Sequence, residues 1–392
     1  MVEEIFIVAA RRTPIGAFLG ALSGATAPQL GAVAVRAAVS DSRVSGEQID
    51  EVILGCVLPA GLGQAPARQA SIAAGLPQSV PATTINKVCG SGMRSAMLGC
   101  DSIRAASARI VVAGGFESMT NAPYLLPKAR QGYRMGHGEI LDHMFYDGLQ
   151  NPYDGQMMGQ FADATATKYQ FTRADQDAFA AESVRRAQAA CNGGAFSAEI
   201  APVTVKGRKG DQLVERDEPP FNCDISKIPN LKPAFSKDGT VTAASSSSIA
   251  DGAAALVLMS EAALRATGAA PLARVVAYAS HAHAPEWFTT APAGAIQKVL
   301  GQAGWAAAAV DLYEINEAFA VVTMAAMRDV GLHHACVNVL GGACAMGHPI
   351  GATGARIVTT LVHALKGRGL KRGIASLCIG GGEATAIAIE AV

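Results

Sequence analysis

Charge of one sign is missing from this chain. Lysine plus arginine equals aspartate plus glutamate, 32 of each, so there is no overall electrostatic footprint for nucleic acid or for an anionic membrane. A membrane span is missing too, since no apolar run reaches the roughly 18 residues that crossing a bilayer takes. The first residues, Met1-Val2-Glu3-Glu4, are acidic and lead straight into a short apolar run, which reads as neither a secretory signal nor a basic transit peptide. The eight cysteines include no C-x-x-C pair, which argues against a zinc site and against a disulfide framework. These absences predict a cytoplasmic protein that binds no nucleic acid or membrane, holds no metal and keeps its thiols reduced.

What is present points to an α/β enzyme. The 392 residues exceed one typical domain, half are hydrophobic and 42 are glycine, a composition that suits much buried sheet joined by tight turns. Residues 5–10 read as a buried strand, 28–39 as a helix with Pro28 early in it, 52–56 as a strand, and 68–74 as a helix ending at Gly75. The strand entering Asn86-Lys87-Val88-Cys89 breaks into a Gly90-Ser91-Gly92 turn. A helix over 93–106 follows, then a buried strand over 110–113 closed by Gly114-Gly115.

The second half repeats this order. Residues 272–279 read as a strand, and Asp311-Leu312-Tyr313-Glu314-Ile315 matches Asp50-Glu51-Val52-Ile53-Leu54. A glycine-rich turn from Gly341 to Gly354, with His348 between Gly347 and Pro349, takes the place of the Cys89 turn and opens a helix over 355–365. The strand 375–379 closes on Gly380-Gly381-Gly382-Glu383, echoing Gly114-Gly115-Phe116-Glu117. A near-constant offset of roughly 260 residues predicts an internal duplication of a βαβ-rich unit, the alternative being chance likeness among glycine turns. Between the halves the composition shifts toward Tyr, Met, Asn, Pro and charge. One amphipathic helix over 173–190 stands out there, with Thr172 as its N-cap and Gln176 as the capping-box partner. The basic cluster Lys206-Gly207-Arg208-Lys209-Gly210 reads as a solvated turn. The expected organisation is an N-terminal half, 1–118, completed by about 250–270; an inserted loop domain, 119–249; and a C-terminal half, 271–392.

The chemistry gathers at the turns. A histidine between Gly347 and Pro349 is suited to a general base or an oxyanion donor, unless the turn only cradles a phosphate. Cys89 stands at a helix N-terminus, whose positive end favours a thiolate; a buried structural cysteine is the plain alternative. Duplication brings equivalent turns together, so Cys89 and His348 should converge as an activated nucleophile. Cys378, at the end of the last strand, should approach the same point. Two thiols and a histidine there suggest acyl transfer through a thioester. Asn316, following the strand 312–315, is placed to donate a hydrogen bond or hold a water.

Four motifs in order then carry a resemblance over nearly the whole chain: Asn86-Lys87-Val88-Cys89-Gly90-Ser91-Gly92, Asn316-Glu317-Ala318-Phe319-Ala320, Gly341-Gly342-Ala343 running to Gly347-His348-Pro349, and Cys378-Ile379-Gly380-Gly381-Gly382. The chain resembles the thiolases, most closely the biosynthetic type, the acetyl-CoA acetyltransferases. The resemblance implies a duplicated five-layer α-β-α-β-α core with an inserted loop domain, assembled as a homotetramer, a dimer of dimers. It implies no cofactor, with coenzyme A as substrate and product. It implies Cys89 as the acylated nucleophile, His348 as its activator, and His348 with a water on Asn316 as donors to the second substrate's thioester oxygen. Cys378 becomes the acid/base at the α-carbon, and the N–H groups of Cys89 and Gly380 a second oxyanion hole. Ser247, Met158, Phe235, Phe288, Ala318 and Phe319 fall at substrate- and CoA-binding positions.

The departures from the family pattern concern grip and specificity. Ala244-Ser245-Ser246-Ser247-Ser248 replaces Gly-Asn-Ala-Ser-Gly, Met157-Met158-Gly159 replaces His-Met-Gly, and Phe221-Asn222 stands where a basic residue faces the CoA nucleotide. Trp287-Phe288-Thr289-Thr290 replaces a Met-Gly segment, and an aromatic Phe288 resembles enzymes that accept a 2-methyl branch. The expected reaction is reversible condensation of acetyl-CoA with acyl-CoA to 3-oxoacyl-CoA, or its thiolytic reverse in fatty acid metabolism. A carrier-protein ketosynthase would want a second histidine where this chain has Cys378 and Asn316. A non-catalytic partner subunit would have lost Cys89, His348 or Cys378, and none is lost.

Overall fold

The computed structural model describes residues 3–208 and 210–392; Met1 and Val2 of the acidic start and Lys209 of the basic cluster lie outside the described residues. Among the described residues, nine strands form the path of a ten-stranded sheet, whose tenth, Gly16–Ala17, pairs beside it: β1 (Ile5–Arg12), β2 (Glu51–Gly55), β3 (Ala82–Ile85), β4 (Ile110–Ser118), β5 (Ala250–Ser260), β6 (Ala273–Ala282), β7 (Leu312–Ile315), β8 (Arg372–Ile379) and β9 (Glu383–Ala391). They hydrogen-bond in the order β7-β8-β9-β6-β1-β5-β4-β2-β3. β4 and β5 are buried at every residue, which is why they read as continuous runs of small and apolar residues rather than as an alternation.

The duplication is visible in the pairing. Outward from the short antiparallel seam between β1 and β6, each half repeats one pattern. β1 with β5 and β6 with β9 pair antiparallel, and each pair has a register shift, at Ile7/Ala9 and at Val275/Ala277. β5 with β4 and β9 with β8 follow antiparallel, then β4 with β2 and β8 with β7 parallel. The counterpart of β3 shrinks to a single parallel bridge between Tyr313 and Val337.

The helices complete the layers: α1 (Ala27–Ser42), α2 (Pro66–Ala73), α3 (Ser91–Arg104), α4 (Met158–Tyr169), α5 (Arg173–Asn192), α6 (Ala291–Ala303), α7 (Ala320–Val330) and α8 (Thr353–Arg368). α1 and α2 cover the outer face of the first half, and α6 the outer face of the second with α7 beside it. α3 and α8 pack on each other and reach strands of both halves. Their apolar faces, including Met93 and Met97 of α3 and Ile357 and Leu361 of α8, form the central core with Leu256 and Leu377. The expected α/β layering with helices inside and outside the sheet is therefore present.

Two local expectations are corrected. The strand read as closing at Gly114-Gly115 runs on to Ser118. The glycines mark a close approach, since a Cβ on Gly115 would collide with the Gly351 carbonyl and one on Gly114 with Ala254. The capping partner of α5 is Asp175, which stands three residues after Thr172 and bonds its backbone N–H. Gln176 instead donates to the Thr240 hydroxyl at 2.8 Å.

Candidate active site

Two helix starts meet at the centre of the molecule. A Cβ on Gly92, in the first turn of α3, would press on the backbone of Gly351, Ala352 and Ala355, and one on Gly354 would press on Met93. Only glycine lets the two turns close to this distance. The equivalent turns carrying Cys89 and His348 are thus held side by side. Glu117 of β4 clamps the arrangement from behind, accepting N–H bonds from Val57 at 2.9 Å, Leu58 at 3.1 Å and Gly351 at 3.0 Å. Burial raises this carboxyl to about 7 despite those bonds.

His348 is fixed from three sides. Its backbone N–H donates to the Ser248 carbonyl at 3.0 Å. Its Nδ1 lies 2.6 Å from the Thr353 hydroxyl, which donates its own proton to the Pro349 carbonyl at 2.9 Å. Nδ1 must therefore carry the proton, and Nε2 keeps its lone pair. The Asn316 amide Nδ2 sits 3.5 Å from Nε2. Burial, and then the charge of Arg356, lowers the imidazole to about 3. His348 is a neutral base at ordinary pH, with Nε2 as its free face. Asn316 is itself fixed because Asn338 bonds both backbone groups of Ile315 at 2.8 Å, while the Asn316 N–H reaches the Ser376 carbonyl at 2.9 Å.

The two thiols differ in exposure, Cys89 being half-buried where it meets the pocket and Cys378 fully buried. Burial pushes Cys89 up to about 11, while the N–H groups of Gly380 and of Cys89 itself reach its sulfur and hold it lower than burial alone would. The thiolate expected from the helix terminus is therefore not the resting form. Desolvation outweighs the dipole, and ionising Cys89 requires a base. Cys378 is fully buried, and burial raises it well above the usual thiol range, with Cys89 close enough to add to the effect. Across the seam between halves, Lys87 and Glu383 pair at 2.5 Å, tying the turn before Cys89 to the strand after Gly380-Gly381-Gly382.

These groups open onto one pocket of about 370 Å³. Its lining brings together Cys89, His348, Cys378, Gly380, Met158, Phe235, Ser247, Phe288, Ala318 and Phe319, and among the described residues includes no Lys, Arg, Asp or Glu. Asn316 stays out of the lining and acts through its contact with His348. The Ser247 hydroxyl donates to the Ala318 carbonyl at 3.0 Å, and Phe319 meets Phe235 edge-on at 5.8 Å. Phe288 packs edge-on against Phe161 at 6.3 Å rather than on Trp287, which lies under Lys168. The sequence reading missed Met119, Leu149 and Ile350, which wall the pocket, together with Thr353 and Glu117. A hydroxyl at the first turn of the helix after His348 was a usable signal for Thr353. Nothing local distinguished the pocket walls from ordinary core.

A buried neutral base, a half-buried thiol and a fully buried one around a single pocket can form and resolve a thioester. Comparison with known proteins gives the same family over nearly the whole chain. Residues 5–262 match the model described as "Thiolase, N-terminal domain", and residues 269–391 match "Thiolase, C-terminal domain". The "Acetyl-CoA acetyltransferase" of Pseudomonas aeruginosa is 48% identical over 389 residues, 99% of each chain. That of Schizosaccharomyces pombe is 46% identical over 391 residues, again 99% of each. The crystal structure of the Bacillus anthracis acetyl-CoA acetyltransferase superposes with a TM-score of 0.98 at 42% identity, covering 100% of this chain and 99% of that one. With both domain models matched in order and relatives this similar from end to end, the chain belongs to the thiolase family.

Proposed function

We propose that the chain catalyses reversible transfer of an acetyl group between coenzyme A thioesters, joining two acetyl-CoA to acetoacetyl-CoA plus CoA or running the thiolysis backwards. The names of its relatives point the same way. His348 Nε2 takes the proton of Cys89 and the thiolate attacks the acyl-CoA carbonyl. The developing oxyanion takes the N–H bonds of Cys89 and Gly380. The departing CoA thiolate takes the proton that His348 received from Cys89, and acetyl-Cys89 remains. Cys378 then passes its own proton to His348 Nε2 and, as thiolate, takes an α-proton from a second acetyl-CoA, whose thioester oxygen faces the His348 Nε2–H and a water held by Asn316. The carbanion attacks acetyl-Cys89, a carbon–carbon bond forms, the carbon–sulfur bond to Cys89 breaks, and the released Cys89 thiolate recovers its proton from His348.

One observation carries this reading: Cys89, Cys378 and the free face of His348 line the same uncharged pocket. An α-proton of a thioester is weakly acidic, and donors placed in advance in a dry site stabilise its enolate most. Acetyl-CoA incubation followed by peptide mass analysis tests it, with the acetyl group expected on Cys89. A label on Cys378 would reverse the roles.

Phe288 favours a second, finer reading. This side chain is 3% exposed and offers a flat apolar wall to the acyl end of the pocket, which suits short 3-oxoacyl groups with a 2-methyl branch. For assembly we propose a cytoplasmic homotetramer, a dimer of dimers, with residues 119–249 acting as a loop domain. Supporting it are the free edge of β3 and exposed apolar side chains at Tyr124, Leu126 and Met135, which isolated subunits rarely carry together. The reaction asks for no cofactor beyond coenzyme A itself.

A further inference from the structure

Val88, the residue before the nucleophile, has φ +46°. Among the described non-glycine residues with positive φ, it alone is β-branched, and a branched side chain makes this region a genuine outlier. Such strain persists only where the surroundings over-determine it. They do so here. The Val88 N–H donates to Asn86 Oδ1 at 2.8 Å. The Val88 carbonyl accepts the Ser91 N–H at 3.0 Å and the Ser91 hydroxyl at 2.7 Å. The same hydroxyl accepts the Lys87 N–H at 2.8 Å, and Lys87 is anchored to Glu383 in the other half.

The peptide between Val88 and Cys89 is planar, so its carbonyl and its N–H point in opposite directions. Ser91 holds the carbonyl on the helix side with two bonds. The N–H of Cys89 therefore points away from Ser91, and Cys89 and Gly380 both line the pocket. The Val88 side chain lies against the same spot, its Cγ1 3.7 Å from the position a Cβ on Gly380 would take. A relaxed φ at Val88 would turn this peptide, and a turned peptide presents an oxygen where the acyl-enzyme needs a donor.

We propose that Val88 and Ser91 are positioning residues: the left-handed turn at Val88, locked by Ser91, aims the Cys89 N–H into the hole that polarises the acyl-enzyme carbonyl. This rests on the reading of Cys89 as the acylated residue.

The test uses full-length enzyme acetylated from carbonyl-¹³C acetyl-CoA, with wild type, Val88→Gly and Ser91→Ala compared. Isotope-edited infrared reads the thioester carbonyl, and quenched flow reads the acetylation rate. Glycine adopts positive φ freely, so Val88→Gly should keep or raise the melting temperature. Glycine is as free to leave that turn as to adopt it and gives up the Val88 contact beside Gly380, so the carbonyl band should move to higher frequency and acetylation should slow by roughly tenfold to a hundredfold, short of the about 10²–10³ lost with an entire oxyanion donor. Ser91→Ala should shift band and rate in the same direction, which keeps the test alive if one variant folds poorly. An unchanged band and rate in both variants overturns the inference, as does a slower rate with the band unmoved. No label on Cys89 in the wild-type enzyme would instead overturn the reading beneath it.

Discussion

The Thr353 hydroxyl stands 2.6 Å from Nδ1 of His348 and spends its only proton on the Pro349 carbonyl. That pair decides which nitrogen of the base is free. Thr353→Val removes the acceptor and leaves a buried N–H without a partner, which costs about 1–3 kcal/mol. Transferred to the barrier, this is a loss of about tenfold to a hundredfold in kcat. Thr353→Ser keeps the oxygen and should recover most of the rate. Equal activity in all three enzymes would remove Thr353 from the machinery.

The two reactive groups should titrate far from their ordinary values. His348 is lowered to about 3, so it is neutral from about pH 5 upward. Its ring proton signal, assigned by its absence in His348→Asn, should not move between pH 5 and 8. Cys89 is raised to about 11, so the thiolate fraction keeps growing as pH rises. Alkylation of the resting enzyme at Cys89 should accelerate beyond pH 9 instead of levelling near 8.5. A titration step close to 6.5 at His348 would contradict the burial that lowers it.

Replacement of the second thiol should separate the half-reactions. Cys378→Ser leaves His348 and the Cys89 donors in place, so acetyl transfer to Cys89 should stay near wild type. Carbon–carbon bond formation and cleavage should drop by two or more orders of magnitude, on the scale of general acid–base effects of about 10²–10⁴. Quenched-flow acetylation measured beside acetoacetyl-CoA thiolysis gives the comparison, and equal losses in both would argue against a division of labour.

The acyl wall should set the response to branching. One methyl in an apolar pocket is worth about 1–3 kcal/mol. Cleavage of 2-methylacetoacetyl-CoA is expected within roughly tenfold of acetoacetyl-CoA, a difference of about 1.4 kcal/mol. Phe288→Gly should change that ratio more than it changes acetoacetyl-CoA turnover. Full activity on the linear substrate with none on the branched one would leave short linear acyl groups as the specificity.

Assembly can be read from mass in solution. Light scattering at micromolar concentration should give a tetramer. Leu126→Lys with Met135→Lys, both exposed apolar side chains, should reduce it to a dimer that keeps its fold. A wild-type monomer or dimer would sink the assembly proposed for residues 119–249.

Local pattern made much of the fold legible. Buried strands read as apolar runs, glycine turns read as strand-to-helix junctions, and the echo of Gly114-Gly115-Phe116-Glu117 in Gly380-Gly381-Gly382-Glu383 exposed the duplication. What misled was also local. Gly114 and Gly115 look like a strand end, because glycine usually punctuates; here they stay in the strand so that the Gly351 loop can pass over them. The capping partner of α5 was misjudged by one residue, Gln176 for Asp175, because either side chain type can fill the role and only backbone position selects between them.

The order of the sequence by itself determined which residues sit at turns, that the turns come in equivalent pairs, and that two cysteines and a histidine are candidates for one centre. Tertiary structure alone decided their chemistry. The state of Cys89 depends on the apolar pocket wall that its half-buried sulfur meets, and the lone pair of His348 on a hydroxyl delivered by the next helix. The pocket walls depend on Met119, Leu149 and Ile350, which arrive from different segments. Burial and hydrogen-bond direction are properties of the surroundings, and those surroundings exist only after both halves have closed on each other.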